Sequence, residues 1–186
     1  MTRRLPDELF APLYFETLAH GAFQWPPPKG TDTPHLHLQF RRFAGCPVCN
    51  LHLRSFAKSH ERLREAGVIT VAFFHSSAEQ MRPYEGDLPF PTVPDATRRW
   101  YRHFGVERSA WAVLHPKVMW SATKGLFSAP SNPFVGGSEQ GGLPADFLLR
   151  ADGTLAAVHY GSHADDQWSV DALLALVSDP KAEAAE

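Results

Sequence analysis

Alternation of apolar and polar residues is the first pattern in the chain. From His35 to Phe43 (HLHLQFRRF), His35, His37 and Gln39 alternate with Leu36, Leu38 and Phe40. A period of two sends successive side chains to opposite faces, so this segment predicts a half-buried strand ended by Gly45 and Cys46. From Pro47 the period changes. Cys49, Leu53, Phe56 and Leu63 recur at steps of three, four or seven, the spacing of one helix face. Pro47 suits the first helical position, where its missing N–H is not needed, and Gly67 stops the helix. Val68 to His75 (VITVAFFH) is a near-continuous apolar run, as in a strand covered on both faces. Ser76 to Met81 opens another helix, with Ser76 as cap and Glu79 three residues on. Phe90 to Pro94 is short and extended. Asp95 then caps a helix over Ala96 to Phe104, which Gly105 ends.

The remaining pattern is less regular. Trp111 to Phe127 is mostly helix-like, although Pro116 breaks or restarts it. Ser128 to Gly142 is rich in Gly, Pro, Ser and Asn and predicts a long surface loop. Ala145–Arg150 and Thr154–Tyr160 flank Asp152-Gly153, a hairpin signal. Trp168 to Val177 carries apolar residues at helical spacing. Residues 1–34 are irregular, with a stiff extended piece at Pro26, Pro27 and Pro28, and the tail from 179 to 186 is loose. Strand, helix, strand at the start makes a βαβ unit, which requires a parallel pair. A hairpin and a helix close the chain. The expectation is one α/β domain over 1–186, a mixed central sheet with helices on both faces.

Composition narrows the function. The chain has 186 residues, 44% hydrophobic and 20% charged, an ordinary globular balance. Eighteen basic residues against twenty acidic ones give a charge of −2. Without a basic run to neutralise phosphates, no nucleic-acid partner is expected. No apolar run reaches the roughly 20 residues of a membrane span. Pro6, Asp7 and Glu8 stand where a signal peptide has its apolar stretch, so the expected compartment is the cytoplasm.

Two cysteines are too few for a disulfide scaffold, and both lie in one Cys-x-x-Cys, Cys46 and Cys49. A thiol is a useful nucleophile only as thiolate, and a helix N-terminus supplies N–H groups and a positive dipole end that stabilise the anion. A spacing of three brings both sulfurs to one face, so one can attack a substrate and the other can resolve the mixed disulfide. This reading needs no cofactor or metal. The alternative is a Cys/His copper or zinc site recruiting His35, His37 or His52; it lacks a second Cys-x-x-Cys. Taken alone, His35 and His37 read as solvent-facing strand residues. His60, His103, His115, His159 and His163 read as surface or packing residues. Asn50 after Cys49 excludes the Cys-x-x-Cys-His haem attachment motif. Pro144, after Gly141-Gly142-Leu143, precedes the first hairpin strand, where a thioredoxin-like fold places a cis-proline facing the cysteine pair.

FRRFAGCPVC at 40–49, VITVAFFHSS at 68–77, PFPTVPDATRRWYRHFGV at 89–106 and GGLPADFLLRADGTL at 141–155 together resemble the peroxiredoxin-like (alkyl hydroperoxide reductase C / thiol-specific antioxidant) family of the thioredoxin superfamily. The resemblance spans about His35 to Val177 and implies a thioredoxin-like fold with an inserted region at about 109–140. It implies an antioxidant thiol oxidoreductase, with disulfide or peroxide as substrate and a thiol donor such as thioredoxin or glutathione. A homodimer is among the assemblies it allows. In the family's Thr-x-x-Cys motif the peroxidatic cysteine falls on Cys49, with Cys46 in the Thr position. The family's arginine after the hairpin-strand proline has no counterpart, since Ala145, Asp146 and Phe147 follow Pro144. Two mechanisms result. On thioredoxin logic Cys46, the more exposed residue at the helix tip, attacks. On peroxiredoxin logic Cys49 attacks and Cys46 resolves. The Cys-x-x-Cys suits dithiol–disulfide exchange, with peroxide reduction secondary.

Overall fold

The computed structural model describes residues 2–28, 34–85, 88–106 and 142–178. The expected helix over Trp111 to Phe127, most of the loop to Gly142, the insertion of about 109–140 and the tail from 179 lie outside the described residues.

Strand β3 (His35–Phe40) keeps the expected alternation, but all six residues are buried. Its two neighbours explain why. It pairs in parallel with β4 (Val68–Phe74) and antiparallel with β6 (Ala145–Arg150). Beyond them lie β5 (Thr92–Pro94), parallel to β4, and β7 (Leu155–Tyr160), antiparallel to β6, giving the order β5-β4-β3-β6-β7. Central β3 therefore has no solvent face. This is the mixed sheet expected, and the βαβ unit is parallel as required.

One face of the sheet carries Leu36, Leu38, Phe40, Val71, Phe73, Ala145, Phe147 and Leu149, packed with Tyr101 and Phe104 from around α4 (Arg99–His103). The other face meets α1 (Pro47–Lys58), α2 (His60–Glu65), α3 (Ala78–Glu85) and α5 (Val170–Val177) through Leu53, Phe56, Leu63, Met81, Val170 and Leu173. Helices thus cover both faces. Among the described residues no helix is long and apolar enough to cross a membrane.

Residues 1–34 are not irregular throughout. β1 (Leu13–Glu16) and β2 (Ala22–Trp25) form an antiparallel hairpin. Leu13, Phe15 and Trp25 are buried in the α4-side core, and Trp25 Nε1 donates to the Arg150 carbonyl at 3.0 Å. Burying each such side chain stabilises by about 1.5–3 kcal/mol, which holds strands too short to form alone.

Other boundaries shift for local reasons. The helix from Pro47 divides at Ser59, whose N–H is shared between the Ser55 and Phe56 carbonyls, a tightening typical of helix ends. The capping box falls one residue later than expected. Ser77 Oγ accepts from Gln80 N at 3.3 Å and Gln80 Oε1 accepts from Ser77 N at 2.9 Å. Ser76 Oγ instead accepts from Ala44 N at 3.0 Å. Asp95 does cap a helix, but at a distance: its carboxylate accepts from Arg99 N and Trp100 N, both at 2.8 Å. Ser169 caps α5 by accepting from Ala172 N at 3.1 Å.

Candidate active site

Cys46 leaves the strand-to-helix turn as the N-cap of α1, with Pro47 at the first helical position. The turn needs Gly45, whose φ of 78° lies in the region favouring glycine. N-caps are ordinarily oxygen side chains that accept from the helix's unpaired N–H groups. Here Cys46 Sγ takes that place, accepting from Cys49 N at 3.4 Å. Cys49 lies one turn on, with its Sγ 2.8 Å from that of Cys46. Both are free thiols. The structure thus brings together the two cysteines that the spacing pairs.

The environment makes them unequal. Burial pushes the Cys46 thiol up, but the hydrogen bond from Cys49, the Arg42 charge and the N–H groups of Cys49 and Val48 outweigh it, bringing the pKa to about 7. Cys49 goes the other way. Burial, the proton it shares with Cys46 and the Cys46 charge raise it well above the ordinary thiol range. Near neutral pH Cys46 passes to thiolate while Cys49 still holds its proton. Arg42 was not among the sequence candidates. Its Nη1 donates to Cys46 Sγ at 3.7 Å, and its guanidinium lies 5.4 Å from the Phe43 ring centre. The only sequence signal was its place four residues before Cys46.

Neither thiol is exposed. Cys46 is 0% and Cys49 1% accessible, in a cluster with Phe43, Val48 and Ala164. The expectation of a more exposed Cys46 is corrected: flanking apolar side chains close over the helix tip. Ala164 belongs to the loop after β7. That loop begins at Gly161, whose N–H donates to the Pro144 carbonyl at 2.9 Å. A side chain at Gly161 would lie 2.4 Å from the Asp166 carbonyl and 2.8 Å from Pro144 Cγ, so only glycine fits. Pro144 is buried at the entry to β6. Its peptide is trans; among the described residues the cis bond is Trp25–Pro26. The β6–β7 ladder runs on through the Pro144 carbonyl, and trans is the lower-energy form by about 0.5–1 kcal/mol.

His37 faces the interior, not solvent, and is fully buried. Its Nε2 donates to Asp146 Oδ1 at 3.1 Å. Burial lowers the His37 pKa, so it is neutral, and it must carry its proton on Nε2 because a carboxylate only accepts. Asp146 sits opposite Gln39 on β6. Its Oδ1 also accepts from Arg41 Nη2 at 2.6 Å and its Oδ2 from Trp168 N at 3.2 Å. Burial would raise this carboxyl, but Arg41 and His37 hold it well below the usual range. His35 is buried too. Of the remaining histidines, His159 pairs with Asp166 at 2.9 Å. Among the described residues no group of three His, Cys, Asp or Glu is arranged to hold a metal ion, so the Cys/His metal alternative finds no site there.

The sheet and helices that carry this dithiol resemble those of known proteins. The AhpC/TSA family model matches residues 36–158. The chain belongs to the AhpC/TSA family. Members of this family are thiol-dependent oxidoreductases, and this chain is one. No match was found among curated proteins. Among solved structures it is similar to the reduced 2-Cys peroxiredoxin of Plasmodium vivax, at 12% identity and TM-score 0.64, covering 92% of this chain and 79% of the other. It is similar to the peroxidoxin BcpB of Mycobacterium tuberculosis, at 12% identity and TM-score 0.62, covering 97% of both chains. A yeast mitochondrial 1-Cys peroxiredoxin, solved to explain thiol resolution through glutathione/thioredoxin systems, shares 12% identity with TM-score 0.62 over 94% of this chain and 74% of the other. At such identities these likenesses establish the fold, a mixed-sheet thioredoxin-like one. In this chain Cys46 is the helix cap and Cys49 lies one turn on.

Proposed function

We propose that this AhpC/TSA protein is a dithiol–disulfide oxidoreductase in which Cys46 attacks and Cys49 resolves. The observation that carries the reading is that Cys46 Sγ caps the helix, accepting from Cys49 N at 3.4 Å and lying 3.7 Å from Arg42 Nη1, which lowers its pKa while burial raises that of Cys49. The Cys46 thiolate attacks one sulfur of a substrate disulfide and displaces the other as a thiol. Cys49 gives up its proton and attacks Cys46 Sγ, forming the Cys46–Cys49 bond and releasing the second thiol. The substrate gains two electrons from the cysteine pair and two protons, one from Cys49 and one from solvent, since the ionised Cys46 has already released its own. With a peroxide, Cys46 takes an oxygen as sulfenic acid and the other oxygen leaves as water or alcohol. Cys49 then displaces water.

Disulfide substrates suit the site better. Peroxide cleavage needs donors aimed at both oxygens as charge develops, and among the described residues one arginine, Arg42, faces the thiolate. Pro144 acts at one remove, holding Gly161 and so the loop that lays Ala164 on the pair. Admitting a substrate requires that cover to open. A thiol donor such as thioredoxin or glutathione returns the oxidised pair to dithiol, in the cytoplasm, with the chain as a monomer or homodimer. Treatment with one equivalent of a small disulfide tests the reading: mass spectrometry should find an internal Cys46–Cys49 bond. A stable adduct on Cys49 with Cys46 still free overturns the order of attack.

A further inference from the structure

Two consecutive arginines leave β3 for different partners. Arg42 reaches Cys46. Arg41 is fully buried and reaches a polar cluster lying between the sheet and α1. Its Nε and Nη2 donate to Gln39 Oε1 at 3.0 and 2.6 Å, its Nη2 to Asp146 Oδ1 at 2.6 Å, and its Nη1 to the Phe40 carbonyl at 3.4 Å. Nη2 also lies 3.1 Å from His52 Nε2. Nη2 has two N–H groups and faces three acceptors, so it shares one of them between His52 Nε2 and a closer oxygen. An arginine only donates, so His52 offers a lone pair there and is neutral, as desolvation and the Arg41 charge both favour. His52 is on α1, three residues past Cys49. Arg41 therefore ties together β3, β6 and the helix that carries the redox pair.

Stability alone is a weak reason for such a cluster. Taking two charges out of water costs several kcal/mol per ion, and replacing a buried pair by apolar residues is often neutral or stabilising. Among the described residues His37 Nδ1 and Gln39 Nε2 also lack a partner, a further cost. The chain from the cluster to the thiol is short and pinned. Arg41 N donates to the Phe73 carbonyl at 2.9 Å, and the Tyr101 hydroxyl lies on the Arg41 carbonyl. His75 N donates to the Arg42 carbonyl at 2.9 Å, Ala44 N to Ser76 Oγ at 3.0 Å and Cys46 N to the Phe43 carbonyl at 3.2 Å. Held at this many points, residues 41–46 can transmit the placement of Arg41 to Arg42 with little slack.

We propose that Arg41 is a positioning residue for the thiol chemistry: clamped by Asp146, Gln39 and His52, it fixes α1 against residues 41–46 so that Arg42 stays on Cys46. The inference rests on Cys46 being the attacking thiolate. Among the described residues, the ionisable groups facing Cys46 are Cys49 on α1 and Arg42 before it, with Tyr101 of α4 near Cys49. Arg41, His37, His52 and Asp146 complete the set in the cluster. Positioning and bare charge predict opposite signs. If the cluster acted only by neutralising Arg41, removing the Asp146 charge would add a net cation and lower the Cys46 pKa. If it positions, removal lets Arg42 drift and raises that pKa.

The test is a pH titration of thiolate absorbance on the full-length reduced protein, with alkylation and mass spectrometry assigning each step. His52→Leu removes the acceptor for Arg41, and His52→Gln restores one. His52 is only half-buried, so both variants should fold. The expected result is an upward shift of the Cys46 step by about one pH unit, tenfold in the thiolate equilibrium, in His52→Leu and in Asp146→Asn. His52→Gln should titrate like the parent. An unmoved Cys46 step in His52→Leu, or a downward shift in Asp146→Asn, overturns the inference and leaves the nucleophile assignment standing. A parent protein without a Cys46 step near neutrality removes both. If Asp146→Asn does not fold, the His52 pair decides alone.

Discussion

Arg41 and Arg42 are adjacent and chemically identical, yet the fold spends them on different tasks. Arg42 meets a titrating sulfur in an apolar cluster of Phe43, Val48 and Ala164. Arg41 meets a fixed carboxylate and an amide, both without accessible surface. The first region modulates reactivity, because its anion exists only when Cys46 is deprotonated. The second is permanently ionised, because Arg41 and His37 hold Asp146 far below the usual carboxylate range. One charge pair answers to pH near neutrality and the other does not.

The comparison breaks most visibly at the sulfur. Cys46→Ser should lose disulfide and peroxide turnover together, by about a thousandfold or more, as expected when a nucleophile is removed. Cys49→Ser should still react once and stop at a mixed disulfide. Steady-state assays with a small disulfide and with hydrogen peroxide check both. Peroxide turnover that survives in Cys46→Ser and vanishes in Cys49→Ser would restore Cys49 as the nucleophile.

The Arg41 region should break in stability. Asp146→Asn leaves a buried guanidinium without its anion, which costs about 3–5 kcal/mol. Denaturant unfolding measures it. The folded-state pKa of Asp146 is depressed, so its contribution is fully present above the ordinary carboxylate value of about 3.9 and is lost as pH falls below it. The gap between parent and variant should therefore narrow in acid. A gap that grows in acid would contradict the ionised state of Asp146.

Arg42→Gln should move reactivity. The parent's alkylation rate should rise with pH through about 7 and level off above it. In the variant the midpoint should move up by about one unit, lowering the rate at neutrality several-fold. A third arginine sets the scale. Arg62 pairs with Asp171 at 2.8 Å, with side chains 61% and 82% exposed. Breaking that pair should cost no more than about 0.5 kcal/mol in the same unfolding experiment.

How much of this was legible depended on sequence distance. Pro47-Val48-Cys49 on a change of period placed the dithiol at a strand-to-helix junction, because cap, proline and helix face all lie within twenty residues. Asp152-Gly153 placed the closing hairpin for the same reason. His37 and Arg41 were misread or passed over because their partner, Asp146, lies more than a hundred residues away. Alternation shows that a side chain faces one side of a sheet; it does not show whether a helix covers that side. The β1–β2 hairpin escaped because four-residue strands carry too few alternations to read. Pro144 was placed correctly at the strand entry but assigned the wrong isomer, since local sequence does not show that its carbonyl continues the β6–β7 ladder.

The most direct test of the central claim is pulsed alkylation of the reduced protein at neutral pH, followed by peptide mapping of the modified cysteine. The structure predicts that Cys46 is labelled first, with half-maximal rate near pH 7, and that Cys49 is labelled slowly until far more alkaline pH. Labelling of Cys49 ahead of Cys46 would contradict it.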